Sequence, residues 1–328
     1  MVNRRREVLK TLSIPALYGL AATSAQAQAL ETARVITGFP AGGTSDVTCR
    51  RVAEKLAPGY AKSVVVENRT GAAGQIAITL MKTVPNDGTV MLQTPMSMLG
   101  IYPHIYRKLP YDPRADVQPV SMLVSFDFGL GVGPAVPASV KTVPDYLAWC
   151  KANPSQASFG SPAAGSVPHF IGVLLGRSAD VSLTHVPYRG SQPAIVDMMG
   201  GQVPAVSAPL GEFLQHLGSG KARLLGASGP TRSRFAPDVP TYVEQGLKDF
   251  AYREWFGMYL PAGASAQTVQ RLNAALVNAL KQPDTVEKIG LMGLEATSSS
   301  PAELAKALED DTARWAPLVK AIGFTADS

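Results

Sequence analysis

Two short glycine-bearing segments carry the residue types best suited to holding a small anion. The first is Phe39-Pro40-Ala41-Gly42-Gly43-Thr44-Ser45-Asp46, directly after the apolar run Arg34-Val35-Ile36-Thr37. The second is Phe159-Gly160-Ser161-Pro162-Ala163-Ala164-Gly165-Ser166-Val167-Pro168-His169. Glycine lets the backbone approach a ligand closely, and a helix start presents unpaired N–H groups with a partial positive charge. Two such mouths facing each other would hold a small anion without a charged side chain. Their separation along the chain implies two lobes with a cleft between them.

Other chemistry is weaker in the sequence. Ala41-Gly42-Gly43-Thr44-Ser45 lacks the lysine of a phosphate-binding P-loop, and no G-x-G-x-x-G is present, so no nucleotide cofactor is expected. Gly226-Ala227-Ser228-Gly229 is not a G-x-S-x-G elbow. His169 shares a loop with Ser161 and Ser166, a grouping that either packs and caps or does acid–base work. Asp46 falls in the first turn of the expected helix, where it either favours the helix dipole or positions the loop for a ligand. Thr94 ends a strand, where it either offers a hydroxyl to the same cleft or is a plain strand-end threonine. Arg189, in Tyr188-Arg189-Gly190-Ser191, is either the counter-charge for a dicarboxylate or a solvated surface arginine.

The N-terminus reads as an export signal. Arg4, Arg5, Arg6 and Lys10 precede an apolar stretch near Leu12 to Ala22, then Ala25-Gln26-Ala27-Gln28-Ala29 offers small-residue cleavage sites. Arg5-Arg6-Glu7-Val8-Leu9-Lys10 fits either a twin-arginine or a general secretory signal. Residues 1–29 are therefore assigned to a signal peptide and the mature chain to the periplasm. The whole chain has 30 basic and 25 acidic residues; without Arg4, Arg5, Arg6, Lys10 and Glu7 the balance is 26 to 24, or +2. That near-neutral balance gives no reason to expect a nucleic-acid partner. The two cysteines and four histidines show no metal-ligand spacing. Export permits a Cys49–Cys150 disulfide. However, Cys49 shares a helical stripe with Val52, Ala53 and Leu56, and Cys150 ends an apolar stretch, so both read as core residues.

Short β-type runs alternate with helical stretches. Strands are expected at 34–37, 63–67, 90–94, 157–160, 182–186 and 223–227, with helices at 45–56, 74–82, 144–150, 167–177 and 192–199. This order predicts an α/β fold of parallel layers with ligands at the carboxyl ends of strands. Val269, Leu272, Leu276 and Leu280 share one helix face. Ser300-Pro301-Ala302-Glu303 is a capping box that opens a last helix.

These segments resemble one family. Phe39-Pro40-Ala41-Gly42-Gly43 with Asp46, Val64-Val65-Val66-Glu67-Asn68-Arg69, Gly71-Ala72-Ala73-Gly74, Pro85-Asn86-Asp87-Gly88 and Lys108-Leu109-Pro110-Tyr111-Asp112-Pro113 occur in order. His185-Val186-Pro187-Tyr188-Arg189-Gly190, Gly200-Gly201-Gln202-Val203, Pro237-Asp238-Val239-Pro240-Thr241, Trp255-Phe256-Gly257 and Leu260-Pro261-Ala262-Gly263 follow. Together they resemble the solute-binding proteins of tripartite tricarboxylate transporters, the Bug (TctC-like) family. The resemblance implies a two-lobed Venus-flytrap fold, no catalysis and no cofactor. It implies a small-molecule carboxylate gripped by Phe39, Ala41, Gly42, Gly43 and Asp46 from one loop and Ser161, Ala163, Gly165, Ser166 and His169 from the other, with Thr94 beside them. It also implies permease subunits as membrane partners, and a monomer is expected. The lobes are expected at 30–128 plus 251–328 and at 129–250, with crossings near 125–127 and 253–255.

One departure bears on specificity. Where the family often has D-L-M-F-D-N after G-G-Q-V, this chain has Pro204-Ala205-Val206-Ser207-Ala208-Pro209. Ala208 thus replaces an acidic residue that could meet a ligand ammonium, so a non-amino di- or tricarboxylate or an aromatic carboxylate is expected. An orphan sensor of the same fold, or an exported hydrolase, is the alternative. The hydrolase would need a nucleophile–base pair that the sequence does not offer.

Overall fold

The computed structural model describes residues 29–326; nearly all of the expected signal peptide lies outside the described residues. Strand β1 (Leu30–Thr37) leads through the first glycine loop into α1 (Thr44–Leu56), then β2 (Ala61–Asn68), α2 (Gln75–Leu80) and β3 (Val90–Pro95). Short helices α3 (Met96–Gly100) and α4 (Tyr102–Ile105) precede the long β4 (Val117–Val132). Next come α5 (Val143–Ala152), β5 (Ser158–Ser161), α6 (Val167–Ser178), β6 (Thr184–Pro187), α7 (Ser191–Met199), β7 (Ala205–Pro209), α8 (Gly211–Leu217) and β8 (Arg223–Ala227). The chain returns through β9 (Arg253–Pro261) and finishes with α9 (Ala266–Lys281), α10 (Pro283–Gly290), β10 (Glu295–Ala296) and α11 (Pro301–Ile322).

The strands run in the order β2-β1-β3-β9-β4-β7-β5-β6, with β8 and β10 also pairing with β4. The outer pairs β1·β2, β1·β3, β5·β6 and β5·β7 are parallel, as the alternation predicts. The centre is not. β9 is antiparallel to both β3 and β4, and β7 and β8 are antiparallel to β4. The parallel layers expected from the alternation hold for the outer pairs and give way at the centre, where β9 returns from the second half of the chain and enters the sheet against the direction of its neighbours.

β4 organises the molecule. Residues 117–127 pair with β9, whereas 128–132 pair with β7 and β8. One strand therefore serves two sheets and changes partner between Asp127 and Phe128. The residues expected as chain crossings lie inside β4 and β9, which continue through them as regular strands. At this junction Arg253 Nε meets Asp127 Oδ1 at 2.8 Å, and Arg253 also reaches Glu295 at 2.9 Å.

The helices form where local signals place them. Ser300 accepts a hydrogen bond from Glu303 N, and the Glu303 carboxylate accepts one from Ser300 N, so the capping box is complete. Thr142 and Asp145 form a second capping box at the start of α5. In α9, Val269, Leu272, Leu276 and Leu280 are buried, and Leu304, Trp315, Val319 and Ile322 anchor α11.

Cys49 and Cys150 are both buried and free. Burial pushes the Cys49 thiol far above its ordinary value, and the Cys150 thiol up to about 11. Neither forms thiolate at neutral pH, and neither is open to a reagent. The folded protein is therefore expected to resist a thiol-specific reagent, with two thiols titrating on denaturation without reductant. Fewer than two thiols in the denatured chain would indicate a disulfide.

Candidate functional site

The two glycine segments meet at one cavity of about 310 Å³. Phe39, Ala41, Gly43, Thr44 and Ser45 line it from the first loop and the start of α1. Ala163, Ser166 and Pro168 line it from the second loop and the start of α6. A third helix start joins them: Gly190, Ser191, Gln192 and Pro193 bring the N-terminus of α7 to the same wall. Three helix starts aimed at one space concentrate partial positive charge there. Phe126, Phe128, Tyr102 and Phe256 supply apolar walls. A second cavity of about 390 Å³ shares Phe39, Pro40, Pro162, Ala163, Arg189 and Gly190 with the first. The two loops and Arg189 thus form the partition between them.

Each loop is held from behind by side chains that do not line the cavity. In the first loop Gly42 has φ +87°, a conformation that glycine adopts without strain. Asp46 is buried; its Oδ2 accepts from Gly42 N and Arg50 Nε, each at 3.0 Å. Its Oδ1 accepts from Asn68 Nδ2 at 2.9 Å, and the same amide donates to Phe39 O at 2.9 Å. Burial pushes the Asp46 carboxyl up, but Arg50, Gly42 N–H and Asn68 outweigh that and hold it below the usual carboxylate range. Asp46 thus clamps the loop, and it also stands in the first turn of α1, where its charge favours the helix dipole.

The second loop is built in the same way. Ser161 Oγ reaches Ala163 O at 3.1 Å and His185 Nε2 at 2.7 Å, and Ser166 Oγ donates to Ala163 O at 2.7 Å. Gly165 N donates to His169 Nδ1 at 3.0 Å, so the neutral ring carries its proton on Nε2. The His169 and His185 rings stack at 3.8 Å. Burial, with His185 adding to it for His169, depresses them to about 3 and about 4 respectively. Gly165 has φ +77°, a conformation that strains residues with a side chain, and a Cβ there would also displace the end of the Ile105 side chain, so glycine is favoured.

The sequence candidates divide by position. Phe39, Ala41, Gly43, Ala163 and Ser166 line the cavity. Gly42, Asp46, Ser161, Gly165 and His169 shape the loops that do so. Thr94 is buried in β3 and donates towards Met98 Sδ at 3.3 Å, away from the lining. Ala208 is fully buried in β7 opposite Gly129, also off the lining.

Sequence reasoning missed two carboxylates. Glu212 and Glu254 both line the cavity and are 3% and 4% exposed. Glu212 Oε1 accepts from Thr44 N at 2.9 Å and its Oε2 from Gln192 Nε2 at 2.5 Å, so it caps α1 from a distant part of the chain. Glu254 Oε1 accepts from Ser97 N at 3.0 Å at the start of α3. The cleft does hold acidic side chains, supplied from α8 and β9, while β7 carries Ala208 off the lining. No signal in the local sequence marks either residue, because each is defined by a contact with a helix start far away in the chain.

The chain belongs to the tripartite tricarboxylate transporter receptor family. The family model described as "Tripartite tricarboxylate transporter family receptor" matches residues 48–324. Protein BugT of Bordetella pertussis is 31% identical over 310 residues, covering 94% of each chain. Among solved structures, R. palustris Rpa4515 with adipate superposes with a TM-score of 0.85 at 28% identity, covering 90% of this chain and 98% of that one. MatC from Rhodopseudomonas palustris with bound malate gives 0.80 at 27% identity, covering 88% and 99%. The periplasmic binding protein BugD gives 0.83 at 26%, covering 90% and 99%. The fold is thus the two-lobed fold of periplasmic solute-binding proteins, as the sequence resemblance implied.

Glu254 gives the cavity a measurable pH signature. Burial pushes its carboxyl up to about 7, against the opposing hydrogen bonds from Ser97. Between the ordinary glutamate range and about 7, the folded protein holds a proton that the unfolded chain has released. Its contribution to stability is therefore present at low pH and lost as pH rises through that window. His169 and His185 act in the opposite sense, since their folded rings stay neutral where the unfolded ones are charged. Denaturant melts of ligand-free wild type and Glu254→Gln should isolate the glutamate. The stability difference, wild type minus variant, should fall by about 3 kcal/mol from pH 4.5 to above 7. A difference independent of pH would contradict this assignment.

Proposed function

We propose that this protein is an exported receptor that captures a small organic carboxylate between its lobes and delivers it to the permease subunits of a tripartite tricarboxylate-type transporter. The observation that carries the reading is the convergence of the α1, α6 and α7 N-termini on one cavity. A carboxylate there accepts hydrogen bonds from backbone N–H groups that have no intrahelical partner. The adipate and malate in the neighbouring structures are ligands of that chemical class.

The lobes correspond to 30–128 plus 251–328 and 129–250, joined through β4 and β9. Closure brings the first loop against the second and buries the ligand, a hinge motion common to this architecture. Phe39, Ala41, Gly43, Ala163 and Ser166 make the contacts, with Gly42, Asp46, Thr94, Ser161, Gly165 and His169 holding the loops and the strand end in place. Residues 1–29 direct the chain to the periplasm and are removed there.

A thermal-shift screen of the mature protein against small organic acids tests the reading. A ligand at about a hundred times its Kd adds about 2.7 kcal/mol of apparent stability, which is a shift of several degrees. At least one carboxylate is expected to give it, and its uncharged amide analogue is expected to fail. Equal shifts from acid and amide, or none from any carboxylate, would overturn the reading.

A further inference from the structure

Glu254 and Glu212 occupy an environment that asks for a cation. Glu254 stands on β9 directly opposite Phe126 on β4, with Phe256 two residues along the same strand face. The Phe126 ring packs edge-on to Phe256 at 4.8 Å and to Phe128 at 5.6 Å, and all three rings line the cavity. The partners of the two carboxylates are amide N–H groups and Ser97, and among the described residues neither forms an ion pair with a basic side chain. Among the described residues Arg189 is the one basic side chain on the lining, and it is exposed, at the wall shared with the second cavity.

Arg189 and the α6 and α7 starts favour negative charge where they line the cavity. Glu254 lines the same cavity together with the three phenyl rings. A buried anion without a counter-charge is costly, and aromatic faces attract ammonium groups strongly where water is excluded.

We propose that the solute of this receptor carries a cationic nitrogen as well as its carboxylate, and that the nitrogen docks against Glu254 within the Phe126, Phe128 and Phe256 rings, with Glu212 as a second counter-charge. This rests on the carboxylate-receptor reading above and narrows it. A cation beside Glu254 would favour its ionised form, whereas a plain dicarboxylate offers the two acidic side chains no counter-charge. Glu254 is thus a specificity-determining residue.

Calorimetric titrations with three acids of equal chain length test the proposal: 6-aminohexanoate, adipate and hexanoate. Wild type is expected to bind 6-aminohexanoate at least about tenfold more tightly than either of the others. Glu254→Gln keeps the shape and an acceptor for Ser97 N. It is expected to erase that preference while hexanoate affinity changes by less than about threefold. Adipate or hexanoate binding as tightly as 6-aminohexanoate to wild type overturns the proposal and leaves the carboxylate reading standing. Failure of all three acids, together with silence in the wider acid screen, overturns both. The wild-type comparison decides the matter even if the variant folds poorly.

Discussion

Burying the start of a helix leaves N–H groups without partners, and a cleft built from several helix starts must satisfy them or leave them for a ligand. This constraint explains most of what surrounds the cavity. The protein supplies its own acceptors at some positions: Asp46 to Gly42 N, Glu212 to Thr44 N and Glu254 to Ser97 N. The starts of α6 and α7 have prolines at Pro168 and Pro193, which remove a donor each. The remaining donors facing the cavity are the ones a carboxylate would meet. Backbone donors on fixed helices need little reordering when the ligand arrives, so more of the interaction appears as affinity.

Fixed donors require fixed loops. The residues doing this stand one layer behind the cavity: Asp46, Asn68 and Arg50 behind the first loop, and Ser161, His169 and His185 behind the second. Their buried hydrogen bonds hold the conformations that Gly42 and Gly165 make accessible. The polar side chains most conspicuous in the sequence therefore serve mainly as supports. Much of the cavity surface comes from proline, alanine, glycine and phenylalanine. Those residues read as ordinary turn and core types until the fold brings them together.

That division also explains what the sequence revealed. The helix starts at Thr44, Val167 and Ser300, the apolar face of α9 and the burial of both cysteines were legible, because each rests on signals within a few residues. β4 and β9 were harder to read. β4 is interrupted by Gly129 and Gly131 and is buried over most of its length, so it lacks the alternation of a half-exposed strand. Its change of partner at Asp127 depends on strands far away in the chain. Glu212 and Glu254 were missed for the same reason. The departure at Ala208 describes β7 alone, and a cleft can take its charge from any element that reaches it.

The central claim is that backbone amides of three helix starts grip the solute. Amide 1H–15N spectra of the labelled mature protein, recorded with and without a carboxylate that binds, test it most directly. The account predicts downfield proton shifts concentrated at Ser45, Val167, Ser191 and Gln192, where hydrogen bonds to the ligand form. Large shifts elsewhere with these amides unmoved would contradict it.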